Sequence, residues 1–362
     1  MTPALSPSTL WPMTSLLMLA ATSAALAAEV TDLPPQLRGN VTIAYTPVIQ
    51  TGSLIEDEVS VGRMTTEDHV LRIGGAFAPA PGVAIWFQAP IYLSSRVGFT
   101  DTREMAYDPT IGKGSLAYGD ETDADPFRAG SGVGGLWLGA RGTPFSEEFA
   151  GRGNRATWLI DVGLRTKDET NIYSADPATD PPTRGGGPGA GAFMLRNGFS
   201  TTRGISQPYL QVTWLRQGVV PVNLYDDAGA LVTTDAQVAP ADLVDIRGGV
   251  QVRVAENEVN SSALDLDFRL GFDYNSPGQI PSGLYLPSVL PVTAGTLVDT
   301  GEYSSAGVGF GMYWRMFKYL KLDIVTDVSY VMPRQLEQPY PVYTGPDTLL
   351  ISGQARLNVL IY

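Results

Sequence analysis

The chain has 362 residues, a formal net charge of −13, 17% charged residues and no cysteine. The acidic balance argues against nucleic acid as a partner, because phosphate binding needs a basic face. The lack of cysteine excludes disulfides, thiolate metal sites and a cysteine nucleophile. Forty glycines and 9% aromatic residues favour strands and turns over helices.

The N-terminus has the pattern of an export signal. The segment SLLMLAATSAALAA, residues 15–28, is an apolar run that ends in small residues, although no Lys or Arg precedes it. The run is too short to span a bilayer as a helix, and no later stretch reaches 18 apolar residues. We expect residues 1–27 to be a signal peptide and residues 28–37 to be a periplasmic N-terminal segment. The remaining chain is then either a soluble periplasmic β protein or an outer-membrane barrel.

Apolar and polar residues alternate along most of residues 38–362. In ALDLDFRLGFDY, residues 263–274, every second residue from Leu264 to Phe272 is large and apolar, and four charged residues stand between and after them. Such alternation predicts a strand with one apolar and one polar face. We predict twelve strands, near residues 38–49, 67–79, 82–96, 130–145, 152–166, 188–202, 204–218, 240–256, 260–276, 300–316, 318–333 and 345–362.

The links between these strands alternate between long and short. The first, of about seventeen residues, is long; the second, APG, is short; and the alternation continues to the last strand. Outer-membrane barrels have short periplasmic turns and long extracellular loops, whereas the two ends of a soluble sandwich are equally wet. The sequence therefore predicts an all-β fold, an antiparallel transmembrane β-barrel of about 12 strands over residues 38–362, with both termini at the periplasmic side.

The charged faces of the strands must then line the lumen. An Arg or Lys that faces lipid at the middle of the bilayer costs about 2–4 kcal/mol. The predicted lumen-lining residues are Arg72, Asp161, Arg165, Asp245, Arg247, Arg253, Asp265, Asp267, Arg269, Asp273, Lys321, Asp323, Asp327 and Arg356.

Most tryptophans lie on predicted strands, several of them near strand ends. Outer-membrane barrels carry aromatic belts at the level of the lipid headgroups. The predicted belt consists of Trp86, Trp137, Trp158, Trp214 and Trp314. The alternative is that these residues pack in the core of a soluble sandwich.

Two segments resemble known barrel families. The C-terminal RLNVLIY, which ends in Tyr362, is similar to the amphipathic last strand with a terminal aromatic residue of outer-membrane barrels. Over residues 67–217, the segments APAPGVAIWFQAPIYL, GSGVGGLWLGARGTPF and WLIDVGLRT resemble the barrels named after the meta-pathway of phenol degradation. That resemblance implies transport of small, often aromatic, compounds across the outer membrane.

No motif completes an enzyme or cofactor site. The single histidine, His69, has no nearby serine in sequence, and Asp68 points to the opposite face of the strand. The acidic loop GDETDADPF, with Asp120, Glu121, Asp123 and Asp125, is suggestive of Ca²⁺ but lacks the full loop signature. The glycine-rich RGGGPGAG is not followed by a phosphate-loop lysine. We therefore predict no catalytic residue, no cofactor and no metal.

The sequence favours an outer-membrane channel that passively transports small molecules, including hydrophobic or aromatic ones, through a charged lumen. One alternative is a barrel plugged by its own ion-paired side chains, with a structural, adhesive or partner-binding role. Another is a soluble secreted β protein. The expected partners of the barrel are outer-membrane lipid, small-molecule solutes and the barrel-assembly machinery.

Overall fold

A computed structural model describes residues 36–101, 128–145, 156–168, 187–225, 231–281, 296–336 and 342–361. The predicted signal peptide lies outside the described residues, and so does the N-terminal segment except for its last two residues. Among the described residues, no helix is long and apolar enough to cross a membrane.

The described residues form eighteen strands. They are β1 (Gly39–Glu56), β2 (Val59–Ala80), β3 (Val83–Asp101), β4 (Arg128–Val133), β5 (Trp137–Phe145), β6 (Ala156–Arg165), β7 (Ala192–Thr201), β8 (Ser206–Gln217), β9 (Val220–Tyr225), β10 (Leu231–Val238), β11 (Leu243–Asn257), β12 (Ser262–Asn275), β13 (Gly278–Pro281), β14 (Leu297–Thr300), β15 (Tyr303–Phe317), β16 (Leu320–Val331), β17 (Val342–Thr344) and β18 (Leu349–Ile361).

Twelve strand positions close into one antiparallel barrel. The wall follows the chain order from β1 through β8, β11, β12, β15 and β16 to β18, which pairs back with β1. The short strands β4 and β5 both pair with β3 and share one position in the wall. Hairpins β9–β10 and β13–β14 lie outside this order, and β17 pairs with the end of β1 near Glu56. The predicted twelve-stranded antiparallel barrel is confirmed.

The two ends of the barrel differ in their connections. Gly39 pairs with both Ile361 and Phe77, so the chain ends of the wall lie beside the short turn between β2 and β3. Short connections at this end also join β7 to β8, β11 to β12 and β15 to β16. The hairpins β9–β10 and β13–β14 interrupt connections at the opposite end. The predicted separation into short periplasmic turns and long extracellular loops is confirmed.

The predicted long link between the first two strands is wrong. β1 and β2 stay paired as far as Glu56 and Val59, and the chain turns at Asp57 and Glu58, both with positive φ. Their inward apolar residues continue to Leu54, whereas the outward positions become polar, as at Thr51. A strand that has left the lipid no longer needs an apolar outer face, so the alternation fades while the pairing continues.

The outer surface of the barrel is apolar. On β12, Phe268 and Leu270 expose 57% and 67% of their surface, and on β15 Val308 exposes 60%. The interleaved Asp267 and Arg269 point inward and are buried. So wide an exposed apolar surface is unfavourable in water but suits a wall in contact with hydrocarbon.

Candidate functional site

The structure places the fourteen predicted lumen residues on the inner face of the wall. The buried members are Arg72, Asp161, Arg165, Asp245, Arg247, Asp267, Arg269, Asp273, Asp323 and Arg356. The four members that keep more exposure are Arg253, Asp265, Lys321 and Asp327. The inward charges are not spread evenly around the bore but form separate ion-paired groups.

One group is centred on Asp161 of β6. Its Oδ2 accepts hydrogen bonds from Nε and Nη2 of Arg141 at 3.1 and 2.9 Å and lies 3.5 Å from Nη1 of Arg196. Its Oδ1 accepts a hydrogen bond of 2.7 Å from the indole N–H of Trp86. The side chains of Asp161 and Arg196 are fully buried. One carboxylate thus neutralises two arginines from the neighbouring strands β5 and β7.

A second group joins β11, β12 and β16. Arg269 donates two hydrogen bonds of 2.6 Å to the two carboxylate oxygens of Asp327. Arg247 donates from Nε to Asp245 at 2.9 Å and places Nη1 3.4 Å from Asp327 Oδ2. The bidentate contact between Arg269 and Asp327 fixes both side chains in orientation as well as in position.

Inward glycines provide the space that these side chains need to cross a strand. Gly309 stands in register between Arg269 and Asp327, and a Cβ on it would lie 2.6 Å from Arg269 Nε and still closer to Asp327. Gly249 of β11 has the same role for Tyr209 of β8. The Tyr209 side chain passes over this glycine, and its hydroxyl donates a hydrogen bond of 3.0 Å to Asp267 of β12. The inward glycines of these strands therefore leave the space in which polar side chains from the two neighbouring strands meet.

We expect Gly309→Ala to destabilise the folded barrel by about 1–3 kcal/mol, because the added methyl group forces Arg269 and Asp327 apart inside a packed interior. The matched control is Gly271→Ala, since a Cβ at that glycine meets no atom within 4 Å. Urea unfolding in detergent, followed by tryptophan fluorescence, measures both variants. Equal unfolding midpoints for the two variants would contradict the role of Gly309 in leaving space for the pair of Arg269 and Asp327.

The extracellular end of the interior is apolar. Met194, Leu215 and Leu243 point inward where their strands lead into the long loops, and they belong to one buried cluster with Trp137. The hairpin β9–β10 adds its own apolar face to this cluster through Val220, Val222, Leu224 and Val238. This hairpin therefore shares one buried apolar cluster with the inward side chains of the wall.

The periplasmic end of the interior contains a cavity of about 310 Å³. It lies where β1, β2 and β18 meet the turn between β15 and β16, with Lys318 and Tyr319 of that turn in its lining. Five basic side chains line it, namely Arg141, Arg315, Lys318, Lys321 and Arg356. Arg356 and Lys321 also face Asp323, at 2.7 and 3.6 Å.

Two residues of the predicted aromatic belt lie inside the barrel instead. Trp86 donates to Asp161, and Trp137 is 7% exposed with the guanidinium of Arg165 over its ring at 5.4 Å. Both have apolar neighbours in sequence that take the outward positions, so their own positions face inward. The belt prediction is therefore wrong for these two.

The other three predicted belt residues, Trp158, Trp214 and Trp314, lie on the outer face. Trp158 stacks between Phe145 and Phe199, with ring centroids 6.0 and 5.8 Å away. Trp214 and Trp314 expose 38% and 43% of their surface.

Arg141 and Arg196 were not among the predicted lumen residues, yet both are buried, with 9% and 0% of their surface exposed. Both have the inward parity of their strands. Leu138 and Ala140 face outward ahead of the inward Arg141, and Phe193 and Leu195 flank the inward Met194 ahead of Arg196. Extending the alternation through every strand would have found them.

His69 lies on the outer face of β2. Its Nδ1 lies 2.5 Å from the hydroxyl of Tyr45, and its Nε2 contacts the carboxylate of Glu67. Within the described ranges, no three His, Asp or Glu side chains are placed to hold a metal ion. The acidic loop with Asp120 lies outside the described residues, and only the last part of the glycine-rich segment lies within them.

No family model matches the sequence, and no curated protein matches it. Among solved structures, an outer-membrane channel from Pseudomonas putida F1 aligns with a TM-score of 0.52 and 13% identity, over 92% of this chain and 98% of that one. The transport unit of the autotransporter AIDA-I from Escherichia coli aligns with a TM-score of 0.46 and 12% identity, over 94% and 97%. The closed wall and apolar exterior agree with the first of these likenesses. The chain has the fold of an outer-membrane β-barrel, and its location is the bacterial outer membrane.

Proposed function

We propose that the protein is an outer-membrane channel that passively transports small molecules, including hydrophobic or aromatic ones, through a charged lumen. The observation that carries the proposal is the layered interior. An apolar section lies at the extracellular end, ion-paired arginines and aspartates follow, and a cavity of about 310 Å³ lies at the periplasmic end. A small solute with an apolar body meets matching surfaces from the extracellular end inward.

The described conformation is a closed state of this channel. Asp161, Arg196 and Asp267 have no exposed surface, and Gln211 has 1%. Water therefore does not reach these four side chains. Transport then requires a second conformation, and we propose that the hairpin β9–β10 moves, because its buried face belongs to the apolar cluster at this end.

The same burial favours a second candidate function, a plugged barrel with a structural, adhesive or partner-binding role. In that case the ion pairs that span an intervening strand, such as Arg269 with Asp327, stabilise the barrel wall permanently. The resemblance of residues 67–217 to the phenol meta-pathway barrels, and the fold shared with an outer-membrane channel, support transport over this alternative.

Planar-bilayer recording of the refolded protein tests the proposal. A channel gives reproducible conductance steps, with long closed intervals that reflect the packed interior. Folding is checked beforehand by the shift of gel mobility on heating, which a detergent-resistant barrel shows. A correctly folded protein that stays silent across a wide voltage range would overturn the channel and leave the plugged barrel.

A further inference from the structure

We infer that the solutes of this channel are small organic anions, and that the cavity at the periplasmic end binds their acidic group. The inference rests on the proposed transport function and names the class of solute. Its first support is the lining of that cavity, which contains five Lys or Arg side chains and, among the described residues, no Asp or Glu.

Two of the carboxylates that balance these cations lie behind them, whereas Glu256, 3.8 Å from Arg315, is 44% exposed. Asp161 and Asp323 have no exposed surface, whereas Lys321 keeps 23% of its side chain exposed. Lys321 Nζ lies 3.6 Å from Asp323 Oδ1, which is longer than a strong charge-assisted hydrogen bond. A solute in the cavity therefore meets the Lys and Arg donors of the lining before it meets Asp161 or Asp323.

The cavity also offers apolar contacts. Trp86, Phe317, Leu320 and Leu360 contribute to its lining beside the cationic groups. Pockets for small molecules combine such apolar surface with a few polar groups that fix orientation. The combination suits an organic acid with a small apolar body, such as an aromatic carboxylate, better than an inorganic ion.

A second cationic group lies at the opposite end of the barrel. Arg334, which follows β16, is 1% exposed, and its guanidinium lies 4.5 Å from the ring centre of Tyr303. Nε, Nη1 and Nη2 have no hydrogen-bond partner within the part of the chain that the structure describes. Burial of an unpaired cation is unfavourable, and a carboxylate is the group that matches the planar fork of donors. An anion that enters from outside would satisfy this site.

Calorimetric titration of the refolded full-length chain with three probes tests the inference. Benzoate, benzyl alcohol and phenyltrimethylammonium share an aromatic ring and differ in charge. We expect heat of binding from benzoate alone. Lys321→Gln should weaken benzoate binding about tenfold, the equivalent of about 1.4 kcal/mol. The control Lys167→Gln removes one exposed positive charge outside the cavity and should leave binding unchanged.

Binding of benzyl alcohol as tight as that of benzoate would overturn the inference, and so would a Lys321→Gln variant that binds like the parent. Planar-bilayer recording in a KCl gradient separates this failure from that of the channel. Conductance without anion preference, together with absent benzoate binding, rejects the anionic solute and keeps the channel. Charge-selective benzoate binding by a protein that never conducts rejects the channel and keeps the anion site.

Arg334 has its own variant. Arg334→Met retains an apolar stem and removes the charge, so the folded protein without anion should be at least as stable as the parent. We expect benzoate to raise the urea midpoint of this variant less than that of the parent, because one anion site is lost. An equal rise in both proteins would remove Arg334 from the proposal.

Discussion

Replacing Asp161 with alanine is expected to lower the free energy of unfolding by about 3–5 kcal/mol, which is the cost of leaving a buried ion-pair partner alone. The cost is high because Asp161 serves three partners at once. Arg141 and Arg196 both lose their shared counter-charge, and the indole N–H of Trp86 loses its acceptor. No water reaches Arg196 to replace these contacts, since its side chain is fully buried.

Reversible urea unfolding in detergent micelles measures this loss. The control is Asp265→Ala, which breaks the pair of Asp265 with Arg253 at 2.7 Å. These two side chains are 22% and 39% exposed, so water solvates the remaining charge and the loss should stay below about 1 kcal/mol. Asp161→Asn keeps an acceptor for Trp86, so its loss of unfolding free energy should lie between those of Asp161→Ala and Asp265→Ala. An Asp161→Ala variant as stable as Asp265→Ala would show that the ion-paired group around Asp161 contributes no more than an exposed pair.

The double variant Val222→Asn/Leu224→Asn is expected to raise the open probability of the channel several-fold. Both side chains belong to the apolar face of hairpin β9–β10 and are buried against the extracellular section of the interior. Burying two amides there without partners costs about 1–3 kcal/mol for each residue, which is enough to release the hairpin from the wall. Single-channel recording measures the change.

The matched control uses the other strand of the same hairpin. Leu231 and Val232 expose 51% and 53% of their surface, so Leu231→Asn/Val232→Asn makes the same kind of change without removing buried contacts. Its recordings should match those of the parent. If both double variants behave alike, the hairpin does not gate the bore.

Much of this architecture could be predicted because every strand of a barrel wall has one face toward lipid and one face toward the lumen. The alternation around Phe268 and Arg269 assigns one face to lipid and the other to the lumen, and the rhythm of long and short links assigns the two ends. The same rule would have placed Trp86 inward, since Ile85 and Phe87 beside it face outward. Residue type favours the belt for Trp86, whereas its position in the alternation places it in the lumen.

The pairing of charges could not be predicted in the same way. Arg269 and Asp327 are 58 residues apart and meet only because Gly309 of the intervening strand lies in register with both. Register depends on turn geometry and on small shifts along the wall, such as the one between Arg315 and Phe317. In the hairpin β9–β10, strand β9 alternates over only six residues, with Val220, Val222 and Leu224 buried, and β10 shows no such alternation.

The pairing of β1 with β18 has a consequence for biogenesis. Thr42 donates a hydrogen bond to Asn358 across this junction, a contact between residues 316 positions apart. Before β18 arrives, the growing sheet has two open edges, and hydrocarbon cannot satisfy the backbone groups along either of them. Membrane insertion must therefore wait for export of the last strand, and a polypeptide shortened by that one strand should remain in the periplasm as a protease substrate.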